Sequence, residues 1–202
     1  MSTWSAIPEQ AAGLRERKKA RTRAAIQDAA LRLYLKQGYD ATTVDQIAES
    51  ADVSPSTFFR YYPTKAETVL YDRLDPVFLE SFTEQPAELS PAAALRAAMR
   101  DVLTRLAPEE FELEQARWHL IAEVPELRAA LTERIAPLGQ MVAEALAKRI
   151  GREPDDLAVR VWTGALFGGL MAAVFAALKD GGDVMAYVER GISQLEEHGL
   201  QL

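Results

Sequence analysis

Few residues in this chain have types and spacing suited to chemistry. There is no Cys, which removes thiol nucleophiles, disulfides and thiolate metal sites. The two His, His119 and His198, stand far apart, so a His-based metal centre or general base has little to build on. No phosphate-binding Gly-rich loop, nucleophile elbow or metal-ligand spacing occurs. Gly168-Gly169 and Gly181-Gly182 lack the partner residues those motifs need. The expectation is a protein without catalytic residues, metal or cofactor. What remains is a run of short hydroxyl side chains, Ser54, Ser56 and Thr57 around Pro55, followed by Arg60, Tyr61 and Lys65 and preceded by a basic cluster. The chemistry open to such a set is hydrogen bonding and charge pairing with phosphate oxygens, and close approach to base edges.

Overall charge points the other way. The 202 residues hold 23 Lys plus Arg and 30 Asp plus Glu, a formal charge of −7, whereas a nucleic-acid binder is expected to be basic. The total hides an asymmetry. Residues 1–65 carry ten basic and seven acidic side chains, a balance of +3, while residues 66–202 carry 13 and 23, a balance of −10. Arg15, Arg17, Lys18, Lys19, Arg21 and Arg23 have only Glu16 as a local counter-charge. Such a cluster is either a nucleic-acid-facing patch or a solvated helix face. Composition is that of a globular protein, with 49% hydrophobic and 26% charged residues. The first ten residues lack a basic and then apolar signal pattern, so a cytoplasmic location is the expectation.

The elements that must position these residues read as helices throughout. Ile26, Ala29, Ala30 and Leu33 recur at helical spacing on a segment of about 20–37 that should stop at Gly38. Thr43 with Gln46 forms a capping box for a helix over 44–51. Ser54 caps a third, over 55–61, with Pro55 where its missing N–H costs nothing, and Pro63 ends it. Thr64 and Glu67 open a fourth carrying Val69, Leu70, Leu74 and Phe78, with Pro76 placed to kink it. Further helices are expected at 91–107, 109–123, 125–149, 154–179 and 184–198. The result is an all-α fold of about nine helices. Its divisions are a disordered arm over 1–14, a three-helix unit with a helix-turn-helix over 15–65, and a larger helical body over 66–202.

In a helix-turn-helix one helix braces the backbone while the next lies in the major groove. Ser54, Pro55, Ser56 and Thr57 would form the N-terminal turn that reaches bases. Arg60 suits either a guanine or a phosphate. The N–H groups at the Thr43 and Thr64 helix starts, with Lys65, suit phosphates. A helical hairpin built merely around Phe58 and Tyr62 is the alternative.

Residues 41–65, ATTVDQIAESADVSPSTFFRYYPTK, closely resemble the signature of the TetR family of bacterial transcription regulators. The resemblance lies in Thr42-Thr43, Ile47-Ala48, Val53 and the aromatic-basic run into Pro63 and Lys65. It implies that Thr43, Val44, Ser54 through Thr57, Phe59, Tyr61 and Lys65 meet DNA. Two positions depart from the pattern. Asp52 stands where the turn usually has Gly, and Phe59 replaces the usual Tyr, so Phe59 should pack on the sugar-phosphate backbone with Tyr61 supplying the polar contact.

For residues 66–202 the resemblance implies a helical body that dimerises through its last two long helices and encloses a small-molecule cavity. Residues 161–178 hold no charge over eighteen positions, which marks a helix either buried or membrane-spanning. At about 27 Å the stretch falls just short of a comfortable bilayer crossing and lacks aromatic belts, so an interface helix is favoured and no membrane partner is expected. Gly164, Gly168, Phe175, Ile192 and Leu195 are the dimer candidates. Phe78, Phe82, Met99, Leu103, Phe111, Arg117, Trp118, Met141, Phe167 and Met171, with Phe175, are candidates for the cavity lining. Arg117 would suit an anionic head group, or else pairs at the surface with Glu114 or Glu123. From Trp118 through VPELRAALTER to the uncharged helix, the chain loosely resembles a branch of the family associated with fatty-acyl thioesters. The expectation is a homodimeric, ligand-responsive repressor binding a near-palindromic double-stranded operator, released by an amphipathic, fatty-acyl-like effector. A membrane-associated helical protein and a small helical enzyme are the alternatives.

Overall fold

The computed structural model describes residues 13–198, apart from the side chains of Ile135, Ala136 and His198. The N-terminal arm expected over 1–14 lies almost wholly outside these residues. Ten helical segments and no strands occur among them, and they fall into two compact units.

The first unit comprises residues 13–73 and 105–128. Helix α1 (Leu14–Gln37) begins six residues earlier than its apolar spacing suggests and carries the basic cluster on its first turns. Its buried side is Ile26, Ala30, Leu31 and Tyr34, with Leu33 only half-buried. Gly38 ends it at φ 89°, its N–H donating to the Tyr34 carbonyl. Helix α2 (Val44–Ser50) opens on the expected capping box, in which Gln46 N–H donates to Thr43 Oγ1 at 3.2 Å and Thr43 N–H to Gln46 Oε1 at 3.0 Å. Asp52 turns the chain at φ 54°, the only non-glycine with positive φ among the described residues. Helix α3 (Pro55–Tyr61) starts with Thr57 N–H donating to Ser54 Oγ at 3.2 Å.

The expected kinked helix over 64–78 is instead two helices. Helix α4 (Glu67–Leu70) is one turn long, and α5 (Asp75–Glu84) starts afresh with Pro76 in its first turn, where a missing N–H is harmless. The intervening Asp72 and Arg73 are drawn into ion pairs with distant residues, and this split raises the count above nine. The unit is completed by α7 (Pro108–Glu123), which packs on α1 and α4. A compact unit therefore reaches beyond the expected boundary at residue 65.

The second unit comprises residues 74–104 and 129–198: α5, α6 (Pro91–Thr104), most of α8 (Pro125–Ile150), α9 (Leu157–Asp180) and α10 (Val184–His198). Helix α6 packs on α5 and α10, and α10 on α9. Arg96 pairs with Glu196 at 2.6 Å, and Arg100 with Glu189 at 3.3 Å. Glycines set the α9–α10 spacing. A Cβ on Gly169 would meet Leu195 Cδ1 at 2.7 Å, and one on Gly191 would meet the Ala173 Cβ at 3.1 Å.

Candidate nucleic-acid interface and helical body

The Ser54 hydroxyl that caps α3 also pairs with Ser56 Oγ and Thr57 Oγ1, each at 3.0 Å, so the helix offers a pre-ordered hydroxyl cluster at its start. Ser54, Pro55 and Ser56 are exposed and Thr57 half-buried. Phe58 fills the core beneath, fully buried, and Phe59 stands out at 52% exposure with its ring edge-on to Phe58.

Beside α3, the first turns of α1 and the end of α3 form one open groove of about 740 Å³ lined by Leu14, Arg15, Glu16, Lys18, Lys19, Thr22, Arg60 and Tyr61. Four basic side chains face one acid there, a setting suited to phosphate. The structure thus brings Arg15, Lys18 and Lys19 together with Arg60 and Tyr61, which lie some forty residues on in the chain. Arg17 and Arg21 do not line this groove. Arg60 lies 5.4 Å from the Tyr61 ring centroid. Leu14 and Thr22 are groove residues that sequence reasoning did not single out.

Lys65 has a second occupation. Its ammonium donates to the Tyr39 carbonyl at 2.8 Å and the Thr42 carbonyl at 3.2 Å, and lies 4.0 Å from the Tyr39 ring centroid. It ties the loop that delivers the Thr43 cap, with Val44 half-buried behind it. Arg23 braces α3 in the same manner: its Nη2 donates to the Tyr61 carbonyl at 3.4 Å, and its guanidinium sits over Tyr62 and Tyr71. Burial, reinforced by Glu126 and Asp40, pushes the Tyr39 hydroxyl up to about 12. Burial likewise raises Tyr34, although its hydrogen bond with Thr68 opposes the shift.

The sequence did not disclose a buried ionic cluster in the first unit. Arg73 pairs with Asp28 of α1 at 2.5 Å and with Glu114 of α7 at 3.5 Å. Arg117 of α7 pairs with Glu114 at 2.8 Å and with Asp72, and donates to the Val69 carbonyl at 3.2 Å. Burial alone would lower the Arg117 pKa, but Asp72 and Glu114 outweigh it and hold the guanidinium charged. Arg117 thus takes Glu114, one of the two partners envisaged from sequence, but in a buried cluster rather than at the surface. Gln27 adds two bonds from Nε2, to the carbonyls of Thr68 at 3.0 Å and Tyr71 at 2.7 Å. These ties join α1, the α4 end and α7. A signal existed in the i,i+3 spacing of Glu114 and Arg117, but the partners 45 residues away had none.

The remaining cavity candidates divide between the units. Phe111 and Trp118 lie in the first, Trp118 with its ring 5.0 Å from the Arg117 guanidinium. Phe78, Phe82, Met99, Leu103, Met141, Phe167 and Met171 lie in the second. Phe78 and Phe82 stack, and Phe82 is fully buried beneath Arg149. Met141 is exposed.

Among the dimer candidates, Gly164 and Gly168 have open space where a Cβ would stand, and Phe175 is 41% exposed. With Leu157 at 75% and Val161 at 60%, they form one apolar stripe along α9. Ile192, by contrast, is completely buried within the second unit, and half-buried Leu195 covers Gly169 in the α9–α10 contact. Helix α9, with a mean hydropathy of 1.9 over its most apolar stretch, is long and apolar enough to cross a membrane by length and composition.

Two family models match the chain: that of bacterial regulatory proteins of the tetR family over residues 26–70, and that of the MftR C-terminal domain over residues 89–200. The HTH-type transcriptional regulator TcmR of Streptomyces glaucescens is 38% identical over 151 residues, covering 71% of this chain and 67% of the relative. The putative mycofactocin biosynthesis transcriptional regulator MftR of Mycobacterium tuberculosis is 26% identical, covering 81% and 83%. Among solved structures, Thermus thermophilus FadR, a TetR-family repressor in complex with lauroyl-CoA, superposes with a TM-score of 0.54 at 27% identity, covering 87% of this chain and 93% of that one.

Proposed function

This chain belongs to the TetR family of helix-turn-helix transcriptional regulators, and from that premise we propose that it is a cytoplasmic, homodimeric repressor without enzymatic activity, released from a near-palindromic operator by an amphipathic effector. One observation carries the reading: the capped, exposed start of α3 shares a unit with a basic groove, so base-reading hydroxyls and phosphate-binding cations belong to one body. Ser54 through Thr57 would meet bases. Thr43, Phe59, Arg60, Tyr61 and the α1 cations Arg15, Arg17, Lys18, Lys19 and Arg21 would meet the backbone.

A second copy covering the α9 stripe of Leu157, Val161, Gly164, Gly168 and Phe175 accounts for its exposure in a single chain. The same exposure is what favours the membrane reading, and the two separate on fractionation. Recovery with the bilayer after a salt wash defeats the regulator reading. Dimerisation sets two α3 helices on successive major grooves about 34–36 Å apart. Effector held in the helical body would favour a spacing that no longer fits. Complete reversal requires a preference for the released state on the order of 5 kcal/mol. The lauroyl-CoA complex of the Thermus relative supports an effector with a long apolar part.

Selection from a pool of random duplexes tests the reading. The expected product is a two-fold symmetric sequence with half-sites about one helical turn apart. Recovery of no common sequence overturns it.

A further inference from the structure

In the second unit, the indole of Trp162 is a buried polar group that no described residue completes. It lies on α9 with 3% of its surface exposed. Its Nε1–H is shut away from solvent and has no acceptor. Along α9, the Thr163 hydroxyl donates to the Val159 carbonyl at 2.8 Å, and Val159 and Leu166 are apolar and buried. The other orphaned atoms on buried side chains belong to groups such as Gln27 and Arg23, which make hydrogen bonds elsewhere. A buried donor left unmade costs about 1–3 kcal/mol, and a buried Trp normally reaches a partner through its N–H.

We propose that Trp162 is a ligand-binding residue whose Nε1–H donates to a neutral carbonyl oxygen in the apolar part of the effector. Helix α9 itself has no charged side chain from Val161 to Leu178, so it supplies no cation to offset the desolvation cost of a carboxylate buried beside Trp162. Arg117, the natural partner for an anionic head group, is held by Asp72 and Glu114 in the first unit. A ketone, ester or thioester carbonyl completes the indole and brings no charge. The inference rests on the reading that the helical body holds the effector, and it names the polar anchor of that site.

Indole N–H groups give resolved proton–nitrogen NMR signals, and the chain has three Trp. A Trp4→Phe/Trp118→Phe variant leaves Trp162 as the single indole, and Trp162→Phe in the parent confirms the assignment. The probes are 2-tridecanone, tridecane and sodium laurate. The ketone is expected to move the Trp162 indole proton downfield and slow its exchange, whereas tridecane leaves it in place. Trp162→Phe should weaken ketone binding roughly tenfold and leave tridecane binding unchanged. A signal unmoved by saturating ketone, or a Phe variant that binds ketone as tightly as the parent, overturns the proposal. Laurate moving the signal as strongly as the ketone overturns the neutral acceptor. The regulatory reading fails separately. Ketone that releases operator DNA without touching Trp162 defeats only the anchor, and a Trp162 shift with DNA affinity unchanged by every probe defeats only the effector role.

Discussion

The two units solve the burial problem in opposite ways. In the first, the helices are held by directional polar ties inside the chain: two arginines against three carboxylates, Gln27 and Arg117 on the carbonyls of the α4 end, and Lys65 on the α1–α2 loop. Such contacts work only at one geometry, which suits a surface that must match the fixed spacing of phosphates and bases. In the second, long apolar helices pack through small residues and leave valences open: an exposed stripe on α9 and a buried indole N–H. The first unit is held together by ties within its own chain, and the second leaves the α9 stripe uncovered in a single chain.

The largest effect should come from breaking the ties of the first unit. Arg73→Ala leaves Asp28 and Glu114 without a shared cation, and loss of a buried partner costs about 3–5 kcal/mol. Urea unfolding measures it, and a loss under about 1 kcal/mol would mean the cluster does not hold the unit together. The second unit should answer differently. Gly168→Trp fills the open stripe and is expected to weaken dimerisation more than tenfold, about 1.4 kcal/mol or more, with chain folding retained. Sedimentation equilibrium reads the change, and an unaltered dimer rejects the placement of the interface.

Smaller effects sharpen the contrast. Thr43→Ala removes the side-chain half of the α2 capping box and should cost about 1 kcal/mol; faster amide exchange confined to α2 would show that it acts locally. Lys65→Ala should weaken binding to all duplexes alike and lower the salt slope by about one unit if its ammonium also meets phosphate. Weaker binding with the slope unchanged would assign Lys65 wholly to the Tyr39–Thr42 loop. Ser56→Ala is expected to alter sequence preference rather than overall affinity, and uniform weakening across operators would contradict base reading.

Local signals were legible because their partners lie within a few residues. Thr43 with Gln46 and Ser54 with Thr57 cap as their spacing implies, and Asp52 takes the left-handed turn. The misreadings share the opposite property. Helix 64–78 divides because Asp72 and Arg73 answer to α7 and α1. Arg117 turns to the ion cluster, and Ile192 goes into the core rather than the interface. Periodicity marks which face is apolar, but not whether the same chain or another molecule covers it.

The sequence by itself thus determined most of the helices, the Thr43 and Ser54 caps, the exposed start of α3 and the division of charge at residue 65, since each depends on neighbours within about one turn or on composition. Tertiary structure alone decided that α7 joins the unit of α1 to α4, that Arg117 sits in a buried ion cluster, and that Trp162 lacks a partner among the described residues. Those outcomes depend on pairings between residues about 45 positions apart, or on an acceptor's absence. Neither leaves a mark on local order.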